Sequence, residues 1–378
     1  MAGPRPLDGL RIVEFAGIGP APFAGQLLAD LGADVVVVDR PKRGEIGHEQ
    51  SIDRRGKRSI VIDLKTPEGV ALATSLCARA DVLIEGNRPG VMERLGLGPD
   101  PMLAANPGLI YARMTGWGQA GPRALLAGHD INYLSLTGAL HALGDADRPP
   151  PPPINLVGDY GGGSMFLIMG ILAALFARQG SGKGQVLDGA IVDGVNAMMG
   201  MVHGMHAAGA WRTARQANWL DGGVPYYRCY QTLDGRYMAV GSIEAKFFAQ
   251  LLAKLGIDAD SFGPQHEQAL HKKQMQRLEQ VFASKTMSAW IEVFADSDAC
   301  VTPVLTYDEV AGDPHMAARG ALETHMGIRH PAVVPRFGAA IPLRADIPKD
   351  GAHTLEIIEE LGVGNAENLL GKGIVRQA

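Results

Sequence analysis

Two short stretches carry side chains that could exchange protons with a carbon acid. One is Gly128-His129-Asp130-Ile131-Asn132-Tyr133; the other is Gly158-Asp159-Tyr160-Gly161-Gly162-Gly163. Each sets a titratable group among glycines, where backbone and ligand can approach closely. Unperturbed His titrates at roughly 6.5 and unperturbed Asp at about 3.9. A proton that leaves one face of a carbon and returns to the other needs one group protonated and the other not. Desolvation could raise Asp159 towards that condition. A carboxylate just before a glycine-rich helix start also sits near free backbone N–H groups, which suit an anion forming on a substrate. The bland alternative is a hydrogen-bonded structural His–Asp pair, and these stretches alone leave it open.

Positioning such groups requires a frame, and the first half of the chain supplies its pattern. Residues 10–15, 34–39, 59–64, 81–85 and 109–114 read as short, apolar strands, the second with four consecutive valines. Runs of this kind belong to parallel strands buried on both faces. Helical patterns alternate with them, over residues 22–31 and again from Pro67 to about Ala80. Thr66 is the expected N-cap of the latter and Pro67 its first residue. The alternation predicts an α/β fold with a Rossmann-like large domain and an open parallel sheet. Gly17-Ile18-Gly19 after the first strand, with Asp39 further on, hints at a dinucleotide fingerprint. Pro22 replaces its third glycine and Pro20 also lies in the turn, so strand–helix packing is the better reading.

The run Pro149 to Pro153 reads as a stiff spacer. The apolar stretch Met165 to Ala177 falls short of the ~20 residues that span a bilayer and reads as a buried helix. A helical pattern covers residues 191–210. Residues 226–232 and 236–242 flank Leu233-Asp234-Gly235 as a hairpin, with Glu244 just beyond. Helices are expected over 247–255, 275–283 and 287–294, and a strand over 301–306. This block reads as a smaller α+β domain. The expected layout is a large domain over 1–190, a linker helix over 191–224, the small domain over 225–325, and a segment over 326–378 that returns to the large domain. That last piece is too short to bury a core alone.

The balance of 35 basic and 40 acidic residues leaves a net charge of -5, without the basic excess typical of nucleic-acid binders. The three cysteines, Cys77, Cys229 and Cys300, form neither metal motif nor disulfide framework, as expected in a reducing compartment. The start, Met-Ala-Gly-Pro-Arg-Pro-Leu, lacks a signal-peptide core, so a cytoplasmic protein without membrane or nucleic-acid partners is expected. No His/Cys/carboxylate set has metal-ligand spacing. Arg40, Arg54, Arg55, Lys57, Arg58, Arg88 and Arg94 crowd the first hundred residues. Arg40 and Arg88 follow strands, where α/β sheets bind ligands and arginines hold phosphates. The run from Arg54 to Arg58 reads equally well as surface charge. Met165, Met169, Met198, Met199, Met201 and Met205 could form an adaptable apolar surface, although helical spacing favours core for most of them.

Together these stretches resemble the family III CoA-transferase superfamily, and within it the racemases of 2-methylacyl-CoA thioesters. The likeness runs from Leu7-Asp8-Gly9-Leu10-Arg11-Ile12-Val13-Glu14 through Arg88-Pro89-Gly90-Val91 and Met114-Thr115-Gly116-Trp117-Gly118-Gln119 to Val240-Gly241-Ser242-Ile243-Glu244. The two acid–base stretches are its racemase-specific part. The resemblance implies His129 and Asp159 as the acid/base pair on opposite faces of C2, with Glu244 supporting His129. It implies CoA contacts at Arg40, at Ile62, Asp63, Leu64 and Lys65, at Gly86, Asn87 and Arg88, and at Arg94. Further contacts fall on Gly128, Asp130, Ile131, Asn132 and Tyr133. Asn87 departs from the family, which carries an aromatic residue there. The implied assembly is an interlocked homodimer with a shared active site, acting on an acyl-CoA with no cofactor beyond the CoA of the substrate. The nearest alternative is a family III CoA transferase with Asp159 as nucleophile. A dehydrogenase and a silent CoA-binding subunit are more distant.

Overall fold

The computed structural model describes residues 5–42, 51–363 and 365–378. Of the start read for a signal segment, residues 1–4 therefore lie outside the described residues. The chain forms two compact units. One comprises Met1–Thr137, Pro152–Met199 and Gly320–Ala378; the other comprises Gly138–Pro151 and Gly200–Arg319.

In the first unit, six strands lie parallel: β1 (Arg11–Phe15), β2 (Asp34–Asp39), β3 (Arg58–Ile62), β4 (Val82–Glu85), β5 (Ile110–Thr115) and β6 (Gln185–Ala190). Their spatial order is β3-β2-β1-β4-β5-β6, and the C-terminal strand Val375–Arg376 adds antiparallel to β3. Helices cover the sheet, so β2 and β4 are buried almost throughout. Val13, Val36, Ile60 and Leu83 meet Leu72 and Leu76 of the Pro67–Cys77 helix, and Ile357 and Leu361 of the Thr354–Leu361 helix, in one core. The strand order reverses between β1 and β4. In open α/β sheets such a reversal is where loops leaving the strands diverge at the carboxyl edge and a ligand crevice forms.

Local sequence explains most element ends. Thr66 Oγ1 accepts the Gly69 N–H at 3.0 Å, and Pro67 opens that helix. The helix stops at Cys77 rather than near Ala80. Asn106 Nδ2 donates to the carbonyl oxygens of Cys77 (3.3 Å) and Ala80 (2.8 Å), replacing the missing helical donors.

The largest departure lies between residues 152 and 181. The chain winds a wide i→i+5 turn over Leu156–Met165 before the α-helix Phe166–Ser181. Asp159 lies inside this turn and not in front of a helix. Together the two pieces make 26 residues, long and apolar enough to cross a membrane by length and composition. Leu167, Ile171 and Ala174 are buried, whereas Met165, Met169, Leu172 and Phe176 are exposed. The buried-helix expectation therefore holds for one face only, the face set against β5 and β6.

In the second unit, β7 (Tyr227–Gln231), β8 (Tyr237–Gly241) and β9 (Val301–Pro303) form an antiparallel sheet in that order. Gly235, at φ 74°, turns the first hairpin. Helices Ala245–Lys254, Gln268–Phe282 and Met287–Phe294 supply the rest of the core. Trp290 Nε1 donates to the Phe282 carbonyl at 2.8 Å within it. The helical pattern over 191–210 splits into Ile191–Met198 and Gly200–Ala207, with Gly200 at the break.

Candidate active site

The crevice at the carboxyl edge begins with the turn after β1. Gly19 has φ 72°, and a Cβ there would stand 3.1 Å from Asp159 Oδ2. The Asp159 carboxylate thus covers the turn a dinucleotide would need. Pro20 and Pro22, in the first turn of the Pro20–Asp30 helix, bring no N–H groups to cradle a phosphate. Asp39 is engaged by Arg54, through two bonds of 3.0 and 2.8 Å, and by Ser59 Oγ at 2.6 Å. Nothing here suits nicotinamide binding.

His129 is the N-cap of the short Asp130–Leu136 helix and its residue is exposed. Its N–H donates to Asn132 Oδ1 at 3.0 Å, and its carbonyl accepts the Asn132 N–H at 2.8 Å. Tyr133 locks the loop from behind. Its hydroxyl donates to the Gly128 carbonyl, and its ring meets Trp117 edge-on at 4.7 Å. The ring fills the place a side chain at Gly116 would take, with a hypothetical Cβ 1.9 Å from Tyr133 Cζ. The backbone of His129 is therefore set by packing under the end of β5.

Asp159 is half-buried on the Leu156–Met165 turn. Ser164 Oγ pins that turn by donating to the Pro20 carbonyl at 2.7 Å, and Tyr160 stacks on Phe23 at 4.0 Å. The Asp159 N–H donates to Asp130 Oδ2 at 2.7 Å. The free N–H groups expected beside Asp159 are therefore not all free, since one serves Asp130. Burial pushes the Asp159 carboxyl up to about 6; Asp130 adds to the rise and His129 opposes it. The electrostatic pull of His129 on the Asp159 carboxyl puts the two in one neighbourhood. Asp130 is itself raised, first by burial.

The basic residues divide into two groups. Arg55 pairs with Asp30 at 2.6 Å and Lys57 with Glu14 at 2.7 Å, all four side chains being buried. Arg54 pairs with Asp39 and Asp350, and Arg58 with Asp34, Glu356 and Glu360. The run from Arg54 to Arg58 is thus neither scattered surface charge nor a free phosphate clamp, because carboxylates of the same unit hold it. Arg40, Arg88 and Arg94 are exposed. Arg40 follows β2 and Arg88 follows β4, on the same edge as Asp63, Leu64 and Lys65 after β3. Arg40 reaches Asn87 Oδ1 at 3.1 Å. The Ile62 side chain faces the core, so only its backbone meets that edge.

Glu244 belongs to the second unit, whereas His129 and Asp159 belong to the first. It is exposed and caps the Ala245–Lys254 helix, its carbonyl accepting N–H groups of Phe247 and Phe248 at 3.0 Å. Met165, Met169, Met198 and Met201 are exposed, contrary to the expectation that most of this methionine set is core. Among the described residues no group of three or more His, Cys, Asp or Glu gathers as a metal would need. Asp130, an implied CoA contact, turns its carboxylate inward to the Asp159 peptide, a placement that the order of residues alone does not announce. Gly158 is its only local signal, as the residue that leaves space for it.

Comparison with known proteins agrees with this layout. Residues 7–354 match the family model described as CoA-transferase family III. The chain is 43% identical to the alpha-methylacyl-CoA racemase of Mus musculus, over 96% of its own length and 95% of that protein. It is equally similar to the Homo sapiens protein of the same name, at 43% over 96% and 94%. A crystal structure of a CaiB/BaiF family protein from Brucella suis superposes with a TM-score of 0.82 at 30% identity, covering 95% of this chain and all of that one. The match to the family model over residues 7–354, with 43% identity along nearly the whole chain and a sheet that runs 3-2-1-4-5-6, places this protein in CoA-transferase family III.

Proposed function

We propose that the protein epimerises C2 of 2-methylacyl-CoA thioesters by 1,1-proton transfer, with His129 and Asp159 on opposite faces of that carbon. The observation that carries this reading is the Asp159 carboxyl, raised to about 6 beside His129. A carboxyl titrating there exists in both protonation states near neutrality, as a two-way proton shuttle needs. One group removes the C2 proton and leaves an enolate. The other delivers a proton to the opposite face, so the net change is configuration alone. The enolate oxygen needs donors. The first N–H groups of the Asp130–Leu136 helix, beside His129, have no acceptor within the helix. Arg40, Arg88 and Arg94 offer cations for the phosphates of CoA at the same sheet edge. The exposed methionines suit an acyl tail of variable shape. By the likeness to the family, Glu244 is the residue that supports His129, in a homodimer with a shared site.

The test is a single epimer of a 2-methylacyl-CoA in D2O, followed by NMR for configuration and deuterium at C2. Epimerisation with deuterium uptake, lost in His129→Ala and in Asp159→Ala, is the expected result. Transfer of CoA to an added free acid with C2 unlabelled would identify Asp159 as a transferase nucleophile instead.

A further inference from the structure

Asp130 stands directly after His129 in the chain, yet its side chain serves Asp159. It is 8% exposed in spite of its charge. Its Oδ2 accepts the Asp159 N–H at 2.7 Å, and its Oδ1 is buried with no hydrogen-bond partner. The slot it occupies exists because residue 158 is glycine, since a Cβ there would lie 2.3 Å from Oδ2 and 2.7 Å from Cγ. A buried carboxylate with an orphaned oxygen is costly to the fold. Stability alone gives no reason to keep it where an uncharged side chain could fill the slot.

We propose that Asp130 is the positioning residue for Asp159: its carboxylate grips the 158–159 backbone and so fixes the acid–base carboxyl against the crevice. Resting on the racemase reading, this makes the two shuttle arms one device. The backbone of residue 129 leads to one base, and the next side chain holds the peptide of the other. The second consequence is electrostatic. A carboxylate beside Asp159 disfavours a second negative charge, so it keeps the proton on Asp159 to higher pH. The groups that bear on Asp159 are Asp130 and His129; Tyr133, raised by burial and by Asp159 and lowered by Arg88, and Gly19 of the β1 turn stand beside it. Among these, Asp130 is the neighbour that pushes Asp159 upward.

Asp130→Asn keeps the shape and an acceptor oxygen while removing the charge. Asp130→Ala removes the grip, and Gly158→Ala displaces the carboxylate without touching it. The full-length protein is assayed for C2 epimerisation against pH, with circular dichroism and melting temperature as fold controls. The expected result for Asp130→Asn is an Asp159 limb moved to lower pH. For Asp130→Ala, kcat falls on the order of 100-fold, as for a misplaced reacting group. Loss of melting temperature with an unmoved limb would overturn the proposal. An activity-independent arm follows the Asp159 carboxyl carbon by NMR titration of selectively labelled protein, assigned through Asp159→Asn. If wild type shows no C2 exchange, the racemase reading fails while this arm still decides. A titration moved to lower pH in Asp130→Asn supports the positioning role, and an unmoved one refutes it.

Discussion

At the scale of the residue, Asp159 carries the most informative perturbation. Its carboxyl is raised from 3.8 to about 6, first by burial. Between those values the folded chain holds a proton that the unfolded chain has released. Stability from this group is therefore lost as pH rises through that window, and stays lost above it. Asp159→Asn should raise the melting temperature at about pH 7 and change it little near pH 4, while abolishing epimerisation. A melt series across pH checks the first part and the D2O exchange assay the second. Both directions need the pair to share a single proton, and the equilibrium between epimers does not change with pH, so kcat/KM for the two epimers should fall together below about pH 6 as Asp159 takes up a proton. A profile flat through that pH for both epimers would show that Asp159 does not shuttle the proton.

At the scale of the element, the Leu156–Met165 turn is held by close backbone contact. Its Gly162 abuts Gly194 of the Ile191–Met198 helix, where a Cβ on Gly194 would lie 1.9 Å from the Gly162 carbonyl oxygen. Gly194→Ala should push the turn outward and displace Asp159, costing on the order of 100-fold in kcat and about 1–3 kcal/mol of stability from overpacking. Steady-state kinetics with urea unfolding reads both. The Pro20–Asp30 helix meets a buried ion pair below the same turn. Lys57 Nζ donates to Glu14 at 2.7 Å and to the Pro22 carbonyl at 2.8 Å. Burial raises Glu14 to about 7 against the pull of Lys57. Lys57→Met leaves that carboxyl without its partner and should destabilise by about 3–5 kcal/mol. Because Glu14 can then take up a proton, the loss should be smaller below its raised pKa. Chemical unfolding on both sides of pH 7 distinguishes this from a uniform packing loss.

At the scale of the whole molecule, His129 and Asp159 belong to one compact unit and Glu244 to the other. In a homodimer with shared sites, His129→Ala and Glu244→Ala damage different contributions to each site. Mixing the two inactive variants after partial unfolding and reassociation should restore activity that neither has alone. No recovery, with mixed dimers confirmed by native mass spectrometry, would place all three residues of a site in one chain.

The parts legible in the sequence are those governed by local chemistry. Four consecutive valines make β2 a buried strand, Thr66 and Pro67 open a helix, and Asp234-Gly235 turns a hairpin, because each depends on neighbours in the chain. The acid–base stretches were visible for the same reason, as titratable groups set among glycines. β6, half exposed and broken by Gly189, and the Val375–Arg376 strand, too short to show a period, carry no strand signature in the sequence. Tertiary structure alone decided that Arg54 to Arg58 are held by carboxylates distant in sequence, as with Arg58 and Glu360. It alone decided that Asp130 turns inward to the Asp159 peptide. A charge next to a histidine reads as a ligand contact in one dimension. Its partner is named only when a turn from residue 158 passes close enough to leave room for one carboxylate and nothing larger.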